Sequence, residues 1–71
     1  TYISFTLPKA DHVRLIIYDA LGREQVFVCN ERLKAGRHTF SVAMPNLPSG
    51  VYSCRLQAGN NIAVRSMILT R

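Results

Sequence analysis

The 71-residue chain is 48% hydrophobic and 18% charged, which is typical of one small folded domain and excludes a disordered or collagen-like chain. On folding, a chain of this size buries only a little over ~60% of the surface that its unfolded form exposes. Such a thin core is too small to enclose a deep catalytic pocket. Nine lysines and arginines against four acids give a net charge of +5. That charge favours acidic partners in general. The basic residues are scattered and lack interleaved aromatic side chains, so nucleic acid is not an expected partner.

No apolar run approaches the ~18 residues that a membrane-spanning helix requires, so no span is predicted. The start of the chain shows no secretory signal either. The first residues already follow a strand pattern, and we therefore expect the natural protein to continue upstream of Thr1. Within the chain there is no linker, repeat or low-complexity tract, so residues 1–71 are predicted to form a single domain at the end of a longer protein.

Turn signals recur every ten to fifteen residues or so, a spacing typical of an all-β sandwich or barrel. They lie at residues 7–11, 19–23, 34–36, 45–50 and 58–61. Between them, apolar and polar side chains alternate with a period of two, as they do along a half-buried strand. The apolar positions, in chain order, are Ile3, Phe5 and Leu7; Val13, Leu15 and Ile17; His38, Phe40 and Val42; and Tyr52, Cys54 and Leu56. In the last strand, residues 62, 64, 66 and 68 alternate with residues 63, 65, 67 and 69.

One segment, residues 11–21, fits two structures. Asp11 could cap a helix that ends at Gly22. The apolar face of that helix would be formed by Val13, Ile16, Ile17, Ala20 and Leu21. The run 13–18 is rich in β-branched and aromatic residues, which favours a strand. We therefore predict a strand followed by a hairpin turn, in which Gly22 supplies a positive φ angle.

The residues that could carry chemistry are few and far apart. The nucleophile candidates Cys29 and Cys54 and the base candidates His12 and His38 form no close metal-binding or catalytic motif. The four glycines are also too widely spaced to cradle a phosphate group. The sequence therefore predicts no enzyme activity, no metal and no cofactor. His38 is expected to pack at the edge of the core and His12 to be solvated.

The two cysteines leave two alternatives open. Cys54 lies on the apolar face of its predicted strand, and Cys29 is predicted to end a strand. In an exported domain the pair could form a disulfide, whose stabilisation for such a loop is ~3 kcal/mol. Alternatively, both are small buried hydrophobic side chains. Spacing along the chain does not decide whether their Cα atoms come within the ~7 Å that a disulfide needs.

Several segments together resemble a known family. The most specific are the turn Leu21-Gly22-Arg23-Glu24, the turn Pro48-Ser49-Gly50-Val51-Tyr52 that leads into a strand, and the terminal apolar strand at residues 65–69. With residues 3–10, 12–20, 33–38 and 55–59 they resemble the C-terminal sorting domain (type A) of type IX secretion cargo. They are also similar to the related Ig-like module of flagellar hook-capping proteins. The resemblance covers nearly the whole chain.

The resemblance implies an Ig-like antiparallel β-sandwich of six to seven short strands, which acts as an address at the end of an exported cargo protein. Its implied partners are the outer-membrane secretion machinery, a sortase-like enzyme that removes the domain upstream of Thr1, and the upstream cargo. The implied location is the cell surface or the medium, reached through the periplasm. The residues that match the family's signal are Gly50, Tyr52, Arg65, Met67, Ile68 and Leu69.

The chain departs from the family pattern at two places. Ser66 stands where the family often has lysine, and the upstream Asn-Pro-Phe type of segment is missing.

Two other functions are alternatives for a chain with this sequence. One is a structural subunit that self-assembles by strand exchange into a filament or surface layer. The other is a carbohydrate-binding or adhesion module, which the absence of tryptophan makes weaker. The last strand, residues 62–70, is expected at a sheet edge, where a receptor could pair with it.

Overall fold

The structure, a computed structural model, describes residues 2–43 and 47–70 and contains six β-strands. They are β1 (Tyr2–Leu7), β2 (Asp11–Asp19), β3 (Glu24–Leu33), β4 (Gly36–Ser41), β5 (Gly50–Ala58) and β6 (Asn61–Leu69). Most of the segment 11–21, which fitted both a helix and a strand, forms strand β2, so the predicted strand is confirmed. Its β-branched residues occupy the central positions of the strand. The described part of the chain has no helix long and apolar enough to cross a bilayer.

The strands form two antiparallel sheets. One sheet has two strands, β1 and β4, and the other has four strands in the order β3-β2-β5-β6. The apolar faces of the two sheets meet in a common core, and the prediction of an all-β sandwich with six to seven strands is confirmed. Since the sheets differ in width, the smaller one leaves part of the larger one uncovered.

The core is centred on β2. Val13, Leu15 and Ile17, the alternate residues of this strand, are each 0% exposed. Around them pack Leu7 at the end of β1 and Tyr52 on β5, both of which are also buried. Because β2 has neighbours on both edges and a second sheet over its inner face, the side chains on that face lose contact with water almost completely.

The turn between β2 and β3 has the glycine that the sequence predicted. Gly22 adopts a φ of 81°, a conformation that costs other residues energy. Asp19 organises the same turn. Its Oδ1 atom accepts hydrogen bonds from the backbone N–H groups of Leu21 and Arg23, both at 2.9 Å, and its Oδ2 accepts one from Arg23 Nε at 2.8 Å. These contacts lower the pKa of the Asp19 carboxyl, and the hydrogen bond from the Arg23 backbone N–H has the largest effect.

The turn between β5 and β6 depends on Gly59, which has a φ of 59°. A Cβ atom at this position would also collide with the Asp11 carboxylate. The Gly59 backbone N–H donates a hydrogen bond to the carbonyl of His12, 3.1 Å away, and so links the turn to the start of β2. Of the predicted turn at residues 45–50, positions 45 and 46 lie outside the described residues, and positions 47–49 form the loop before β5.

The structure corrects one prediction about β3. Cys29 does not end this strand but lies in its middle, because β3 stays paired with β2 as far as Leu33, opposite Asp11. Both Cys29 and Cys54 are free thiols. They lie on β3 and β5, which are separated by β2, and two strand spacings amount to about 10 Å, more than a disulfide can bridge. Burial raises the pKa of both thiols.

Candidate recognition surface on strands β5 and β6

The structure brings most of the predicted signal residues together where β5 begins and β6 ends. Gly50 lies opposite Leu69, Tyr52 lies opposite Met67, and between these two pairs Val51 lies opposite Ile68. Residues that are 15 to 19 positions apart in sequence therefore become direct cross-strand neighbours. Arg65 lies further along β6, opposite Cys54, and is not in contact with this cluster through strand pairing.

Three of the clustered residues face the core. Tyr52 is only 4% exposed, and Met67 and Leu69 are half-buried against the same part of the core as Ile17 and Val42. The Tyr52 hydroxyl donates a hydrogen bond of 2.5 Å to the carbonyl oxygen of Pro48. This contact ties the strand to the loop that precedes it, so Tyr52 shapes the cluster from inside.

Two other residues of the cluster face solvent on the opposite side of the sheet. Ile68 is 78% exposed and its cross-strand partner Val51 is 54% exposed. The two side chains form an apolar patch on the outer face, which offers area that a partner can bury. Val51 is not among the residues that match the family's signal, although the inward position of Tyr52 places its neighbour on the outer face.

Strand β6 lies at the edge of the four-stranded sheet, as predicted. It pairs with β5 on one side, and its other edge has no partner strand among the described residues. Unpaired N–H and C=O groups along such an edge can pair with a strand of another chain. The free edge of β6 therefore lies beside the Val51–Ile68 pair, since Ile68 is on this strand and Val51 is opposite it on β5.

A second feature lies beside this cluster. The Asp19–Arg23 turn and the loop from Pro48 to Tyr52 line a shared cavity of about 260 Å³. The two turns that carry the most specific part of the family resemblance are thus neighbours in space. Sequence patterns alone could not show this, because it depends on the pairing of β2 with β5 up to Asp19 and Tyr52.

The candidate catalytic side chains are engaged elsewhere. The Nε2 atom of His12 contacts Asn30 Oδ1 on the outer face of the sheet, and Nε2 of His38 lies 2.7 Å from the carbonyl oxygen of Lys34. His38 is half-buried against Phe5, in line with its predicted place at the edge of the core. Over residues 2–43 and 47–70, no three potential metal-ligating side chains lie together.

Comparison with known families gives a match over residues 1–70 to the secretion system C-terminal sorting domain. The chain belongs to this family. Searches of curated proteins and of solved structures gave no match. Domains of this family are not catalytic and serve as C-terminal sorting signals of type IX secretion cargo. The sorting domain therefore works with the type IX machinery, in export through the periplasm to the cell surface or the medium.

Proposed function

We propose that the type IX machinery recognises this sorting domain at a sorting surface that consists of Gly50, Val51, Ile68 and the free backbone edge at the end of β6, residues 67–69. Tyr52, Met67 and Leu69 hold the surface in place from the core side. Arg65 adds a positive charge further along the same strand. The domain is the final unit of a longer cargo protein and carries out no reaction itself.

The observation that carries this proposal is the exposed Val51–Ile68 pair beside an unpaired strand edge. An apolar pair supplies area that a receptor can bury, at roughly 25 cal/mol for each Å² removed from water. The edge supplies backbone hydrogen bonds that fix the direction and register of a partner strand. Together they give affinity and orientation without a pocket, which suits a domain of this size.

A sortase-like enzyme is the second proposed partner. It would cleave the chain upstream of Thr1 once the cargo has reached the surface, so the sorting domain acts as a removable address. No cofactor is needed for this role, since the domain supplies a shape and the enzyme supplies the chemistry. A variant that is exported but keeps its sorting domain would separate the cleavage step from the recognition step.

The main test places a charge on the sorting surface of the natural cargo protein. We expect Val51→Asp and Ile68→Asp each to lower the exported fraction about tenfold or more, because a carboxylate would lose its hydration in the receptor interface. Val64→Asp is the matched control, since Val64 is 62% exposed on the same face of β6 but outside the surface. Cargo in the periplasm and in the medium is measured by immunoblotting. Equal export of all three variants would contradict the proposal.

Gly50→Ala gives a second test that leaves the fold intact. Gly50 does not have a positive φ angle, and a Cβ atom there would meet no other atom within 4 Å. We expect unchanged thermal stability and reduced export, because the added methyl group lies where the receptor approaches. Normal export of this variant would remove Gly50 from the sorting surface.

A further inference from the structure

Strands β1 and β6 face each other across a cleft of about 360 Å³ between the two sheets. Consecutive residues of both strands line it, residues 2–5 of β1 and residues 65–68 of β6. A strand that turned only its face to the cleft would contribute alternate residues. The cleft is therefore bordered by the strand edges themselves, and both edges lack a partner strand within the described part of the chain.

The walls of the cleft are apolar. Ile3 and Phe5 form one wall, and Cys54, Leu56, Ala63 and Met67 form the other. At its base lies Leu15, which is 0% exposed. The volume falls within the range of ~300–1,000 Å³ that is typical of ligand-binding sites. This is the part of the four-stranded sheet that the two-stranded sheet is too narrow to cover.

Arg65 is the charged residue in this lining. The salt bridge between Arg23 and Asp19 is at the far turn, and within residues 2–43 and 47–70 Arg65 has no ion-pair partner. The acidic residues of the chain are Asp11, Asp19, Glu24 and Glu31, and none of them lines the cleft. A cation placed among apolar walls favours an occupant that brings a carboxylate.

We infer that the cleft binds an extended segment of a partner polypeptide that adds as a third strand to the free edge of β1. Alternate side chains of the segment are apolar and pack on Leu56 and Ala63, and one inward side chain is a carboxylate that pairs with Arg65. Strand addition fits because the free edge offers backbone donors and acceptors at strand spacing. This interaction goes beyond the proposed sorting surface. The two share Ile68 and the adjoining edge of β6, but the cleft also uses β1 and the inner face of the sheet and does not involve Val51.

Charge argues against a second copy of this chain as the occupant. Each copy carries a net charge of +5, so two copies repel each other, and the cleft of each presents the same arginine. Two of the four acids of a second copy are also poorly placed to reach Arg65. Asp19 is held by the hydrogen bonds of its own turn, and Asp11 lies against Gly59. An acidic segment of a different protein meets neither obstacle.

The test uses the purified chain and a blocked, fluorescent seven-residue peptide, Thr-Val-Thr-Glu-Thr-Val-Thr, with a counterpart in which lysine replaces the glutamate. Fluorescence anisotropy measures the affinity of each peptide. We expect the glutamate peptide to bind about tenfold more tightly than the lysine peptide, and Arg65→Glu to reverse this preference. Arg55→Glu is the matched control, because Arg55 is on the adjacent strand with its side chain on the opposite face. That variant should keep the original preference.

Two further measurements identify the place and the occupant. In a ¹⁵N-labelled sample, the backbone amide signals of residues 3–5 should shift when the glutamate peptide binds. Ala63→Trp, which fills the cleft and leaves Arg65 in place, should abolish binding. Failure of the glutamate peptide to bind, or equal affinities for both peptides, would overturn the inference. So would sedimentation velocity that shows a dimer whose formation Ala63→Trp prevents, since the occupant would then be a second copy.

The outcome is separable from that of the proposed function. Val51→Asp should lower export but leave peptide binding unchanged, because Val51 does not line the cleft. If Val51→Asp exports normally while the glutamate peptide binds, the proposed sorting surface is contradicted and the inferred peptide site in the cleft is supported. If the export variants behave as expected and the peptide does not bind, the inferred peptide site is contradicted and the proposed sorting surface is supported.

Discussion

Strands β2 and β6 have the same length and a similar sequence pattern, but they differ in burial. Each has nine residues with apolar side chains at alternate positions. On the inner face of the sheet, Val13, Leu15 and Ile17 of β2 are fully buried, whereas Met67 and Leu69 of β6 are only half-buried. On the outer face, Ile16 of β2 is 3% exposed and Ile68 of β6 is 78% exposed. The comparison shows that alternation identifies a strand but does not say how deeply it is buried.

The position of each strand in its sheet explains the difference. β2 is flanked by β3 and β5 and is covered by the two-stranded sheet, while β6 has one neighbour and little cover. Burial in β2 stabilises the fold, and exposure in β6 leaves apolar side chains and backbone groups free for a partner. We therefore expect changes in β2 to affect stability and changes in β6 to affect export.

The largest expected effect comes from truncating a side chain in each strand. Leu15→Ala should lower the free energy of unfolding by about 2–5 kcal/mol, because it leaves a cavity in the centre of the core. Val64→Ala should change it by about 0.5 kcal/mol or less, since an exposed side chain loses few contacts. Urea unfolding followed by circular dichroism measures both. Similar losses for the two variants would mean that β6 is as buried in solution as β2, contrary to the exposure of Val64 in the structure.

A smaller effect is expected at Tyr52, which lies on β5 between the two strands. Tyr52→Phe removes the hydrogen bond to Pro48 and should cost about 1 kcal/mol. Tyr18→Phe is a suitable control, because the Tyr18 hydroxyl has no hydrogen-bond partner among the described residues. Thermal unfolding of the two variants would show the difference. If both were equally stable, the tie between the β5 strand and its preceding loop would add nothing to stability.

The smallest expected effect is a pH dependence at Asp19, the last residue of β2. Its pKa is lowered from the ordinary value of 3.8, first by the Arg23 backbone N–H, so the ionised carboxylate stabilises the folded state. The stabilisation by the carboxylate is fully present above the ordinary pKa. It is lost as the pH falls below about 4 and passes through the lower pKa of the folded state. The wild-type chain should therefore exceed Asp19→Asn in stability near neutral pH, and the gap should narrow under acid.

Urea unfolding at a series of pH values between neutrality and strong acid measures this gap. Glu24→Gln, a change at the exposed start of β3, controls for the general effect of removing a carboxylate. A gap for Asp19→Asn that stays constant through the acid range would show that the turn at the end of β2 does not depend on the ionised carboxylate.

Local patterns were sufficient for several features of this protein. The period of two in residues 3–7 and 52–56 predicted β1 and β5, and Gly22 predicted the hairpin turn, because side-chain direction and backbone preference are local properties. The turn motifs also resembled the sorting-domain family to which the chain belongs. The end of β3 was misplaced at Cys29, since its continuation depends on pairing with β2, which no local signal reports.

The sequence is enough to predict an all-β sorting domain and to propose signal residues in the segments that form its fifth and sixth strands. The three-dimensional fold was needed to show that Val51 and Ile68 are neighbours, that Cys29 and Cys54 are on opposite sides of β2, and that β1 and β6 border a cleft. The physical reason is that alternation sets the two faces of each strand, whereas the order of strands in the sheets sets which face is covered. Strand order arises from contacts between distant parts of the chain, and these leave no periodic trace in any single segment.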